Sequence, residues 1–186
     1  MRKALDLLYG AALVGACLAM IAIVTLVFAE VLGRVVDRLA VLVGIGRFGF
    51  TVPSLAEIGG FLFVAASFLA LPATLRAGAH VRVTLALRAF GIRGEKVMNV
   101  LVLLVAIGLA LFAFWSVWTM TYASYLRGSV SVGIIPIPLW IPQAVMTTGL
   151  AVFAIALIDE LVAILRGGEA AFRHSESQRE ASEGGH

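Results

Sequence analysis

Four stretches of this 186-residue chain run for eighteen residues or more without Asp, Glu, Lys, Arg or His: Leu7–Ala29, Ile58–Leu75, Val97–Leu126 and Gly128–Ile158. A helix of that length crosses the ~30 Å hydrocarbon core of a bilayer, with every backbone polar group bonded inside the helix. A soluble domain would interrupt such runs, but here charged residues are only 13% of the chain, about half the usual share. The expected fold class is therefore all-α, an integral membrane protein of four helices. Its transmembrane domain is expected over residues 1–166, with spans at about 7–29, 58–75, 98–122 and 141–158. The third run has length to spare for tilt. In the fourth, Pro136, Pro138 and Pro142 confine the helix proper to about Ile141–Ile158, because proline suits a first helical turn and not the middle.

Lys and Arg between the spans give the orientation. Ten of the fourteen fall on one side: two at the N-terminus, three after the last span, and Arg76, Arg82, Arg88, Arg93 and Lys96 between spans two and three. Arg34, Arg38, Arg47 and Arg127 fall on the other. The expectation is both termini in the cytoplasm. Arg2 and Lys3 precede the first run, and VGAC at 14–17 resembles a lipoprotein cleavage site. The run continues to Ala29, however, so it reads as a retained helix.

Two connections look interfacial rather than aqueous. Val35–Ser54 holds the uncharged Leu39–Gly46, then Phe48 and Phe50, and His80–Phe90 mixes aliphatic residues with Arg82 and Arg88. The tail, 167–186, is polar and of low complexity, and is expected to be disordered.

Much chemistry is excluded. Cys17 is the single cysteine, so no internal disulfide, CxxC pair or thiolate metal site can form. No P-loop, HExxH or GxSxG pattern occurs, and GIGRFG at 44–49 lacks the spacing of a nucleotide loop. A membrane haem held by two imidazoles needs histidines on facing helices, and of His80, His174 and His186 only His80 lies near a span. No enzyme, cofactor or metal site is expected. The spans also lack the buried ionisable groups that ion and solute pathways carry, so the chain by itself does not look able to move an ionic substrate. A small self-assembling transporter or channel is the rival reading. It would have to line its path with Ser116, Thr119, Thr121, Thr147 and Thr148.

The polar residues at the span ends are the candidates for function. Glu57 opens span two. It reads either as a helix-start charge, with SLAE at 54–57 as a capping box under Ser54, or as half of an inter-subunit ion pair. Glu30, Arg34 and Arg38 line one helix face, as a surface pair or a partner-facing one. Arg76, His80 and Arg82 read as lipid-phosphate contacts or as contacts to a partner's inner loops. Arg82 and Arg88 are assigned to lipid headgroups. Trp115, Trp118, Tyr122 and Tyr125 cluster toward the outer end of span three, as an aromatic belt first and a binding surface second. Ala11, Gly15 and Ala19 make a small-residue row that permits close helix contact.

In order along the chain, four features resemble one family. They are AEVLGR at 29–34, with Arg34; the acidic Glu57; FLALPATLRAGAHVRV at 68–83, with Phe68, Arg76, Gly78, His80 and Val83; and IPIPLWIPQ at 135–143, with Trp140 and Pro142. The chain resembles the small membrane (Q) subunit of tripartite ATP-independent periplasmic (TRAP) transporters over about residues 5–165. It departs from the family at Thr84, where relatives often carry an acid.

The resemblance implies a scaffold subunit in the inner membrane of a bacterium or archaeon. It would bind a large (M) membrane subunit that carries the substrate and sodium. A periplasmic substrate-binding protein would deliver an organic acid to that subunit for symport. Glu30, Arg34, Glu57, Phe68, Arg76, His80 and Trp140 are then expected at the large-subunit interface. Arg127 and Ser131, in the last outer loop, are expected to help receive the binding protein.

Overall fold

A computed structural model describes residues 2–44, 46, 48–77 and 91–166, with Arg2 and 91–96 as backbone alone. Four helices account for nearly all of them: α1 (Arg2–Leu42), α2 (Leu55–Arg76), α3 (Gly91–Arg127) and α4 (Trp140–Leu165). Each is long and apolar enough to cross a membrane. No strand forms among the described residues, only one isolated antiparallel bridge, Val130 to Pro138. The all-helical, four-span architecture expected from the uncharged runs is the one observed. His80, Arg82, Arg88, the segment His80–Phe90 and the tail 167–186 lie outside the described residues.

The helices pack in the spatial order α1–α2–α4–α3. Helix α4 is the inner member: 44% of its most apolar stretch is buried, against 17%, 11% and 6% in α1, α2 and α3. Small residues make that position possible. Gly149, Ala154 and Ala156 are all buried and let neighbouring backbones approach. One cluster joins Tyr9 and Ala12 of α1 to Val152 and Ala156 of α4, with Leu69 and Leu75 of α2 packed against it. A second joins Ala110 of α3 to Ala154 and Leu157 of α4. On α1 the packed row is Tyr9, Ala12, Ala16 and Ala19, whereas Ala11 is exposed. Of the expected row, Ala19 is buried and Gly15 is half-buried close to Leu69 of α2, while Ala11 faces outward.

The α2–α4 crossing has a specific cause. Pro72 sits inside α2 with its side chain fully buried, and proline has no N–H to give the carbonyl of residue 68. That carbonyl faces Gly149 of α4: a β-carbon there would lie 2.7 Å from both the carbon and the oxygen of the Phe68 carbonyl. Proline in a membrane helix is tolerated where neighbours re-satisfy the freed group, and the hydrogens of a glycine Cα offer a weak donor.

Three boundaries differ from expectation. Helix α1 continues through Val35–Leu42, where a loop was expected, so it measures roughly 60 Å, about twice the hydrocarbon core. The stretch has no proline, and the Glu30–Arg34 pair spans the turn just before it; the helix gives way at Gly44, whose φ is +80°. Helix α3 extends back to Gly91 and α4 forward to Leu165. The capping box at 54–57 does not form. Ser54 is left-handed (φ 56°) and makes no side-chain cap, because its hydroxyl is bonded elsewhere.

Replacing Gly149 tests the crossing. In an ordinary helix interior Gly→Ala stabilises by about 1 kcal/mol. Here the sign is expected to reverse, with Gly149→Ala lowering the thermal midpoint in detergent and Gly149→Leu costing about 1–3 kcal/mol by circular dichroism.

Candidate partner interface

The polar residues gather at the two ends of the bundle, and helix direction decides which of them meet. The antiparallel pairing of α1 with α2 and of α3 with α4 brings Asp6, Arg76 and Asp159 to one end. Glu30, Ser54, Glu57 and the α3–α4 connection lie at the other.

At that second end a hook follows α1. Asp37 Oδ1 accepts the N–H groups of Phe48 (3.0 Å) and Gly49 (3.2 Å), and the ring of Phe50 lies on Gly33, where no side chain would fit. Glu30 completes it: one carboxylate oxygen accepts Arg34 Nε at 2.9 Å, and the other accepts the N–H of Val52 at 2.6 Å. Glu30 is 8% exposed and Arg34 71%, so the acid is consumed within the chain while the guanidinium stays largely open. The extension Val31–Leu42 carries a groove of about 690 Å³ lined by Val31, Val35, Val41 and Leu42 together with Arg34, Asp37 and Arg38.

The α3–α4 connection is a closed, internally bonded loop. Gly128 (φ 61°) ends α3, Ser131 N–H donates to Ile137 O (2.9 Å), and Leu139 N–H donates to Ser129 O (3.0 Å). Ser131 is buried at 8% exposure. Its hydroxyl accepts Ile137 N–H (3.0 Å) and donates to Ile135 O (3.3 Å). The loop is then tied to α2: Ile135 N–H donates to Ser54 Oγ at 3.0 Å, and the Glu57 carboxylate lies directly against Gly133. One oxygen of Glu57 is buried there without a hydrogen-bond partner. The result is a rigid tip whose apolar residues face outward, with Val132 fully exposed and Ile134 83% exposed. Arg127 stands exposed at the end of α3, and Trp140 meets Tyr125 edge to face at 5.7 Å beneath the loop.

At the first end, Arg76 Nη1 is 2.7 Å from Asp6 Oδ1, and its guanidinium carbon lies 4.8 Å from the centre of the Tyr9 ring. Phe68, half-buried, belongs to the α2–α4 crossing. The structure therefore turns Glu30, Phe68, Arg76 and Ser131 toward this chain and leaves Arg34, Arg127 and Trp140 at its surface. Glu57 sits between the two groups.

Several residues that matter here carried no signal in the sequence. Asp6 and Asp37 read as ordinary charges, and Gly133 and Gly149 as two glycines among nineteen. Only the folded chain shows what each of them faces. Among the described residues no group of His, Cys, Asp and Glu comes together that could hold a metal ion. The hydroxyls a self-assembling channel would use are scattered: Thr121 and Thr147 bond each other at 3.1 Å between α3 and α4, while Ser116, Thr119 and Thr148 are exposed.

The faces between the two ends are apolar and bare. Val14, Leu18, Ile21 and Val24 of α1 and Leu109, Phe112 and Trp115 of α3 are all more than half exposed. No curated relative and no solved structure matches the chain. The family model described as "Tripartite ATP-independent periplasmic transporters, DctQ component" matches residues 23–167, well over half of its length. Four membrane-crossing helices, closed polar ends and bare apolar flanks accord with that match: the chain belongs to the DctQ family, the small membrane component of TRAP transporters.

Proposed function

We propose that this chain is a scaffold subunit of a secondary-active importer, which binds and stabilises the large transport subunit and helps receive the substrate-binding protein. The observation that carries this reading is a combination. The spans contain no Asp, Glu, Lys, Arg or His between their ends, yet only 17% and 6% of the most apolar stretches of α1 and α3 are buried. Such helices offer no route to a charged solute, and they offer a wide face to lipid or to another membrane protein.

In this reading the large subunit packs along α1 and α2, with Arg34 and Trp140 at the outer edge of the contact. His80, Arg82 and Arg88 serve the partner or lipid headgroups at the inner side. Glu30, Glu57, Phe68 and Arg76 act indirectly, by holding the surface in shape. Arg127 touches the binding protein, while Ser131 fixes the outline of the loop beside it. The solute is an organic acid driven by sodium symport, and the protein sits in the inner membrane with both termini cytoplasmic. The positive-inside count supports that orientation, and the common end shared by Asp6, Arg76 and Asp159 is consistent with it.

Purification of a tagged copy from its host in mild detergent is expected to bring down a many-span membrane protein in near-equimolar amount. Recovery of the chain alone, or only with itself, would sink the subunit reading in favour of self-assembly. In liposomes holding both membrane subunits, Arg127→Glu is expected to lower binding-protein-dependent uptake about fivefold, the effect of roughly 1 kcal/mol at an exposed charge pair. Unchanged uptake would remove Arg127 from that contact.

A further inference from the structure

We propose that Arg76, the arginine of the R-x-G-x-H stretch, is an internal clasp that locks the end of α2 onto the start of α1, rather than a contact to another subunit. The two features it grips are three residues apart on α1. Asp6 and Tyr9 therefore lie on the same helix face, where one side chain from a neighbouring helix can engage both.

The engagement uses two different properties of a guanidinium. Its edge meets the carboxylate, Nη1 to Oδ1 at 2.7 Å, and its carbon lies over the Tyr9 ring at 4.8 Å from the centroid. An ion pair through one nitrogen and a cation–π contact with the ring can coexist because the guanidinium charge is spread over an extended planar group, and a lysine ammonium cannot reproduce both. Arg76 also lies in the last turn of α2, where the helix dipole favours a cation.

Burial of the ring gives the clasp its reach. Tyr9 is 3% exposed and packs in one cluster with Ala12, Val152 and Ala156, so the surface under the guanidinium is itself held by α4. Asp159 of α4 adds a second negative charge within electrostatic range of Tyr9. The side chains of Asp6 and Arg76 are 53% and 39% exposed, so the ion pair alone would contribute little in water. The buried ring lies under the guanidinium carbon, and the ion pair and the cation–π contact act together. At the far end α1 is tied to the polypeptide after it through Asp37, which accepts the N–H groups of Phe48 and Gly49, and through Glu30, which accepts that of Val52. The clasp is the tie at the opposite end, and it sets the α1–α2 register at the point where α2 ends.

The test uses the full chain purified in detergent, read first by its thermal midpoint and then by recovery of the large subunit. Asp6→Arg and Arg76→Asp are each expected to lower the midpoint by roughly 5 °C. The double swap Asp6→Arg/Arg76→Asp should restore more than half of that loss. Arg76→Lys should fall between wild type and Arg76→Asp, and Tyr9→Phe, which keeps the ring, should be less harmful than Tyr9→Leu. The swapped chain should still recover the large subunit. The clasp is overturned if the single variants leave the midpoint within about 1 °C of wild type. It is equally overturned if the swap restores nothing, or if the swap restores the midpoint yet loses the large subunit. The recovery arm rests on the proposed subunit role: should the wild-type chain recover no partner, that role fails, while the midpoints still decide the clasp.

Discussion

A backbone carbonyl deprived of its hydrogen bond organises the middle of this molecule. In a bilayer every polar backbone group must find a partner inside the protein, and Pro72 denies one to Phe68. The remedy is proximity. Helix α4 presents Gly149 at that level, and the two backbones come closer than any side chain would permit. Helix α4 is the inner helix, with α2 on one side and α3 on the other. Helix α1 is left as an outer member attached mainly to α2.

That arrangement explains the contrast between closed ends and bare flanks. Where the chain leaves the bilayer, polar groups are tied in pairs and triplets: Asp6 with Arg76, Glu30 with Arg34 and Val52, Ser54 with Ile135. Apart from the Glu30–Arg34 pair within α1, each contact joins two different segments, and together they hold a small bundle in one register. Along the flanks aliphatic residues point outward from α1 and α3. For a helix in lipid an exposed leucine is no penalty, so packing against a partner there depends on shape and a few end contacts rather than on escape from water.

The Glu57 corner joins these two regimes. Its carboxylate is pressed against Gly133, with one oxygen buried and unbonded, and the Ser54 hydroxyl beside it is used to hold Ile135 instead of capping α2. A helix start that gives up its own cap is locally unfavourable. What it gains is an outer loop held rigid, with Val132 and Ile134 displayed at its tip. A preordered surface loses less freedom when something binds it than a flexible one would.

The amino-acid sequence by itself determined the class of molecule, the number of helices and the positions of the apolar runs, because the bilayer demands uninterrupted runs and charges mark their ends. It also carried the family through the spacing of Arg34, Glu57, Arg76, His80 and Trp140. It did not show that α1 continues to Leu42: Glu30, Arg34 and Arg38 carried helical spacing, but the role of Asp37 and the second partner of Glu30 are seen only once the returning hook is in place. Nor did it separate the arginine that closes on Asp6 and Tyr9 from the arginine that stays open at position 34. Those assignments belong to the tertiary structure. They depend on which residues of distant segments lie within a few ångströms of each other, and helical periodicity within one segment says nothing of that distance.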